Sequence, residues 1–146
     1  MIKELKNSVT EAFSKRNWID QNNIVFGYED SQDCCEDWGW GVWNPKTKEK
    51  VADSPDGLPY HFDFESGATE IEFTDYLPKR EYAKMLYGQD QTYLDHLDVV
   101  RVNLLPDEGT EGEPLVFEAW TDHNGYYLHS FAFEKRDNNK KGKNNG

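Results

Sequence analysis

Cysteine is nearly absent: the 146 residues contain two, Cys34 and Cys35, and they are adjacent. Neighbouring cysteines close only a strained ring, so no stabilising cross-link is expected within the chain and the thiols are read as reduced. Long apolar runs are missing as well. No segment approaches the roughly 18 consecutive apolar residues of a membrane span, and Met1-Ile2-Lys3-Glu4-Leu5-Lys6 lacks the apolar centre of a signal peptide. The expected location is the cytoplasm, with no membrane partner. Basic residues are scarce where they would matter most. Residues 17–134 hold 7 Lys/Arg against 25 Asp/Glu, a balance of −18, while the two ends are positive and bring the formal total to −12. A body this negative repels phosphate backbones, which disfavours ordinary nucleic-acid binding by counterion release unless the short basic ends carry it, and favours a basic protein as partner. Phosphate-loop, nucleophile-elbow and zinc-protease signatures (GxxxxGK[ST], GxSxG, HExxH) are all absent.

Aromatic residues, by contrast, make up 14% of the chain. They supply the apolar material for one core of ordinary domain size, so residues 1–134 are expected to form a single α+β domain and residues 135–146 a disordered basic tail. Leu5, Val9, Ala12, Phe13 and Arg16 recur at helical spacing and predict an amphipathic helix over 2–16. Tyr82, Met85 and Leu86 after Pro78 predict a second helix over 78–97. The remainder reads as an antiparallel sheet of about five to seven strands. Ile24–Tyr28, Trp38–Trp43, Val99–Leu104, Leu115–Trp120 and Tyr126–Phe133 have strand composition, and Asn124-Gly125 is a hairpin signal. Tyr60–Glu65 and Glu70–Thr74 alternate rings or aliphatics with polar residues across a Gly67 turn and suggest a hairpin with one acidic face.

The densest chemistry lies between Gly27 and Trp43, which gather both cysteines, five carboxylates and three of the five tryptophans. Trp38, Trp40 and Trp43 are expected on one strand face, as core more than as a stacking surface. Two thiols beside Asp33 and Glu36 invite a zinc-type site. Structural zinc sites space their thiols by two to four residues, however, so a Cys34/Cys35 site would need a distant histidine such as His123. Thiolate catalysis is disfavoured because Asp33, Glu36 and Asp37 oppose ionisation of the cysteines. Carboxylate pairs are abundant by composition alone and do not indicate a hydrolase.

Asp33-Cys34-Cys35-Glu36, approached by Gly27-Tyr28-Glu29-Asp30, and Asn124-Gly125-Tyr126-Tyr127 resemble the early DCCE and late NGYY elements of a family of small uncharacterised phage and bacterial domains. The resemblance implies a compact α+β domain of mobile-element origin and carries no activity.

These observations converge on an acidic accessory protein, more a binder than an enzyme, that docks a basic host or phage protein. Counter-defence by imitation of nucleic-acid phosphates is the specific form considered. The binding residues expected on the acidic surface are Asp30, Asp33, Glu36, Asp37, Trp38, Asp63, Glu65, Glu70, Glu72 and Tyr127. The alternative is a zinc-binding module on Cys34, Cys35 and His123; otherwise no cofactor is expected.

Overall fold

The computed structural model describes residues 1–5, 16–28, 37–71, 97–122 and 131–136. These form ten strands: β1 (Lys3–Leu5), β2 (Arg16–Ile19), β3 (Ile24–Tyr28), β4 (Asp37–Trp43), β5 (Lys50–Ala52), β6 (Tyr60–Phe62), β7 (Ala68–Ile71), β8 (Leu97–Pro106), β9 (Leu115–Asp122) and β10 (Phe131–Lys135). They make two antiparallel sheets, one ordered β1-β2-β3-β10 and the other β5-β4-β9-β8-β6, with β7 also on β8.

The rings lock the two sheets face to face. Trp18 of β2 meets Trp40 of β4 and Phe117 of β9 edge-on, with centroids 5.3 and 5.0 Å apart. Phe26 of β3 meets Phe117 at 5.5 Å, and Phe133 of β10 meets Phe62 of β6 at 5.8 Å. Each such pair contributes about 0.5–1.5 kcal/mol beyond the area it buries. Val42, Val100, Val102 and Leu104 fill the gaps between the rings.

The expected α+β architecture is corrected: the described residues contain no helix and are all β. Lys3–Leu5 pairs with Asn17–Ile19, so both ends of the predicted 2–16 helix are strand; residues 6–15 lie outside the described residues. Helical spacing of Leu5 and Arg16 is outweighed by pairing to β3 and by burial of Ile2 and Trp18, which are fully covered. Leu97, expected to end a helix, instead opens the ten-residue β8, and residues 72–96 lie outside the described residues. The strand predictions at 24–28, 38–43, 99–104 and 115–120 hold. The strand number exceeds the expected five to seven, because the sheet is two sheets.

The predicted hairpin over 60–74 is also corrected. β6 and β7 do not pair with each other; they follow one another along one edge of β8. Tyr60, His61 and Phe62 oppose Pro106, Leu105 and Leu104, and Asp63 N donates to Asn103 O at 2.9 Å. Ala68 then takes the next position, opposite Val102. Residues 64–67 are thereby looped out between consecutive positions of β8. Asp63 holds this excursion by accepting from Ser66 N (3.3 Å) and Ser66 Oγ (2.6 Å), and Gly67 supplies the left-handed φ of 75° that closes it.

Trp40 points into the core as expected, but Trp43 does not share its face. Two-residue alternation from Trp40 puts Val42 inside and Trp43 outside, on the face of Gly39 and Gly41. Those glycines make room for rings: a Cβ on Gly39 would stand 2.5 Å from Trp120, and one on Gly41 2.6 Å from Trp43. The Trp38 side chain lies outside the described residues.

One buried carboxylate ties the sheets together. Asp20, 4% exposed, accepts from Asn22 N and Ile24 N to close the β2–β3 turn, both at 2.9 Å. Its other oxygen accepts from Phe62 N of the opposite sheet at 2.8 Å. Asp20→Ala strands three backbone donors, one in each of two turn positions and one on β6, and is expected to destabilise the fold by about 2–4 kcal/mol. Urea unfolding of wild type and variant measures this; a loss under about 0.5 kcal/mol, the size of an ordinary surface change, would contradict it.

Candidate functional site

Each sheet has two edges, and the sandwich therefore has two lateral sides. On the side of β1 and β5 the β1 edge is covered. Ile2 N donates to Leu58 O (3.0 Å), Gly57 N to Ile2 O (2.8 Å), and Glu4 N to Asp56 Oδ1 (2.7 Å), so the 56–58 segment covers the β1 edge. On the side of β10 and β6–β7 the Phe62 N–H of β6 is bonded to Asp20 of the facing sheet, but no segment among the described residues covers β10. There Phe133 bridges to Phe62 and to Phe64, whose ring lies 5.3 Å away and is 41% exposed. Phe131 and Phe133 are half-buried.

Acidic groups surround these rings. Glu65 is exposed on the looped-out segment, Glu70 on β7 and Glu134 on β10, and none has a partner among the described residues. Most other described acids are engaged internally. Glu4 accepts from Arg16 (3.0 Å), Lys50 pairs with Asp53 (2.9 Å), and Glu113 is held by Lys46 (3.1 Å) and Asn44 (3.3 Å), whose hydrogen bonds bring its carboxyl below the ordinary value. Glu118, fully buried on the outer face of the six-stranded sheet, accepts from Arg101 Nε at 2.9 Å. Such a pair is structural: removing one partner would leave a charge in a dry interior.

Asp63, Glu65 and Glu70 of the predicted binding set thus fall on this open side, although Asp63 spends its carboxylate on Ser66. Asp37 and Trp38 open β4, opposite Asp122 and Thr121, and are separated from β7 by β9 and β8. Asp30, Asp33, Cys34, Cys35, Glu36, Glu72, His123 and Tyr127 lie outside the described residues. No group of three or more metal-ligating side chains occurs among the described residues, and no helix among them is long and apolar enough to cross a membrane. Phe64, Phe133 and Glu134 were not singled out from the sequence. The alternation at 60–65 marked Phe64 as a strand residue, whereas its exposure follows from the looped-out register.

No family model matches the chain, and no curated protein or solved structure matches it.

At the opposite end of β8 a second polar cluster joins the loops. Asp107 accepts from the Met1 ammonium at 2.6 Å and lies 3.2 Å from His61 Nδ1. Burial pushes its carboxyl up, but hydrogen bonds and positive charge from the ammonium and His61 prevail and hold it below its ordinary value of 3.8. A carboxylate with a folded value below its unfolded one stabilises fully above the unfolded value and loses that stabilisation as pH falls through the folded one. The stability difference between wild type and Asp107→Asn should therefore shrink on acidification from about pH 5 to about pH 2. Denaturant titrations across that range measure it; a difference independent of pH would contradict the assignment.

Proposed function

We propose that this chain is a binding protein whose open side, lined by Phe64 and Phe133 and rimmed by Glu65, Glu70 and Glu134, docks a basic protein partner. The carrying observation is the coincidence of unpaired carboxylates with an exposed ring. Asp53, Asp107, Glu113 and Glu118 are paired with cations within the chain, and Glu49, Glu108 and Glu111 are exposed elsewhere, whereas these three rim carboxylates face water on the side where Phe64 is exposed. An apolar centre with a charged rim is the usual anatomy of a protein interface, and the rim sets association rate and partner choice. Masking of a nucleic-acid-binding surface by imitation of phosphates is the specific form this reading takes.

Immobilised chain should retain basic proteins from lysate at about 50 mM salt and release them at about 0.5 M, where the screening length falls to a few ångströms. The triple variant Glu65→Gln, Glu70→Gln, Glu134→Gln should lose most of that retention, while Glu49→Gln, Glu108→Gln, Glu111→Gln, with the same loss of charge elsewhere, should keep it. Equal behaviour of the two triples would overturn the placement of the site.

A second reading, a zinc-type site on Cys34, Cys35 and His123, draws on one observation. Asp37, three residues after Cys34 and two after Cys35, is the direct strand partner of Asp122, the residue before His123. Elemental analysis of protein purified without chelator tests it: about one zinc per chain, lost in Cys34→Ser or Cys35→Ser, is the expected result for a cysteine-based site. Absence of metal in the wild type would exclude it.

A further inference from the structure

We propose that the outer edge of β10 is a strand-addition site, at which an extended segment of the partner, alternating apolar and basic residues, pairs with Phe131–Lys135 and continues the four-stranded sheet. The identity of the occupant as basic rests on the reading above; the edge itself does not.

A bare sheet edge is a hazard that folded proteins blunt with short strands, bulges, charges or covering segments. Three of the four edges here are blunted in those ways. The β1 edge is covered by residues 56–58. β5 is three residues long, carries Lys50, and joins β4 through a register shift at Val42/Trp43. The β6–β7 edge is broken by the excursion of residues 64–67, and the Phe62 N–H on it is taken by Asp20. β10 carries charge only at its last two residues, Glu134 and Lys135, and among the described residues it is neither broken nor covered. Its five residues pair with β3 in unbroken register, Phe131 with Tyr28 through Lys135 with Ile24, and contain no proline, bulge or cover among the described residues. An edge of this kind offers main-chain donors and acceptors for affinity and alternate side-chain positions for specificity.

The surroundings select the occupant. A strand added beside β10 would turn alternate side chains toward the opposite sheet, where the looped-out Phe64 stands exposed against Phe133. Those positions call for apolar residues. Glu134 on the strand and Glu65 next to Phe64 are exposed and unmatched among the described residues, which suits lysine or arginine at the intervening and flanking positions. Lys135 closes the far end of the strand, and Arg136 N, bonded to Asn23 O at 2.7 Å, continues the pairing on the β3 side one residue further.

The test uses the full chain, labelled for amide NMR, and three probes: a peptide alternating lysine and valine, one alternating threonine and valine, and one alternating glutamate and valine. The lysine peptide should shift the amides of 131–135 and slow exchange of those pointing away from β3. Because Phe64 is exposed, Phe64→Ser should fold and weaken that binding by about tenfold, the loss of one apolar anchor. The glutamate peptide should bind at least tenfold more weakly than the lysine peptide, and Glu134→Lys should narrow the gap. If the threonine peptide adds to β10 as tightly as the lysine one, the edge stands and the basic-partner reading falls. If no peptide perturbs β10, the edge proposal falls whatever basic proteins the chain retains. Protection of the β10 amides in a concentration-dependent dimer without peptide would overturn the proposed occupant in favour of a second copy of the chain.

Discussion

A single carboxylate with three backbone N–H groups converging on it joins the two halves of this molecule. Asp20 closes the turn between β2 and β3 with one oxygen and reaches Phe62 of the facing sheet with the other. Asp20 is 4% exposed, so these three hydrogen bonds are shielded from water. The bond to Phe62 fixes where β6 sits relative to β3. That position in turn lets Phe26, Phe62 and Phe133 meet, with Phe26–Phe62 centroids at 6.5 Å and Phe62–Phe133 at 5.8 Å. A slip of one residue in β6 would carry Phe62 out of the core and His61 into it.

The same bond bears on the exposed side of the sandwich. With β6 held at 60–62 and β7 paired in a different register, the four surplus residues have nowhere to go but outward, and Phe64 goes with them. The contact of Phe64 with Phe133 is thus a consequence of where the register breaks, and not of any apolar preference of residue 64. Asp63, which sequence alternation placed on an acidic face, stabilises that break through Ser66.

Strand existence was legible because rings and β-branched residues alternate at 24–28, 38–43, 99–104 and 115–120, a pattern only pairing and burial can use. At its described ends the helix predicted over 2–16 is strand, because helical spacing is weak evidence against tertiary pairing, and Ile2, Lys3 and Leu5 find partners in Leu58, Ile19 and Asn17. The Trp stripe was half legible: Gly39 and Gly41 do mark close approach, but the rings that approach are Trp120 and Trp43, from the face opposite Trp40. Nothing in the sequence distinguishes two collinear strands on β8 from a hairpin, since both present alternation around a glycine. The status of β10 as an edge was equally hidden, because neighbourhood in a sheet is decided by the whole topology and not by the strand's own residues.

Net charge misleads about surfaces for a related reason. The −18 of residues 17–134 counts every carboxylate alike, yet the fold divides them by task. Glu118 is paired with Arg101, Glu113 with Lys46, and Asp107 with the ammonium of Met1, while Asp20 is buried as an acceptor for the chain's own turn. A charge matched within a few ångströms contributes little potential beyond a Debye length of about 8–10 Å. The field felt by an approaching molecule is therefore set by the unmatched remainder, and in the described residues Glu65, Glu70 and Glu134 share the side where Phe64 is exposed and a strand edge is bare. Docking there would satisfy backbone groups, cover Phe64 and neutralise the rim in one event, so the three features reinforce one another; each alone would be an ordinary surface.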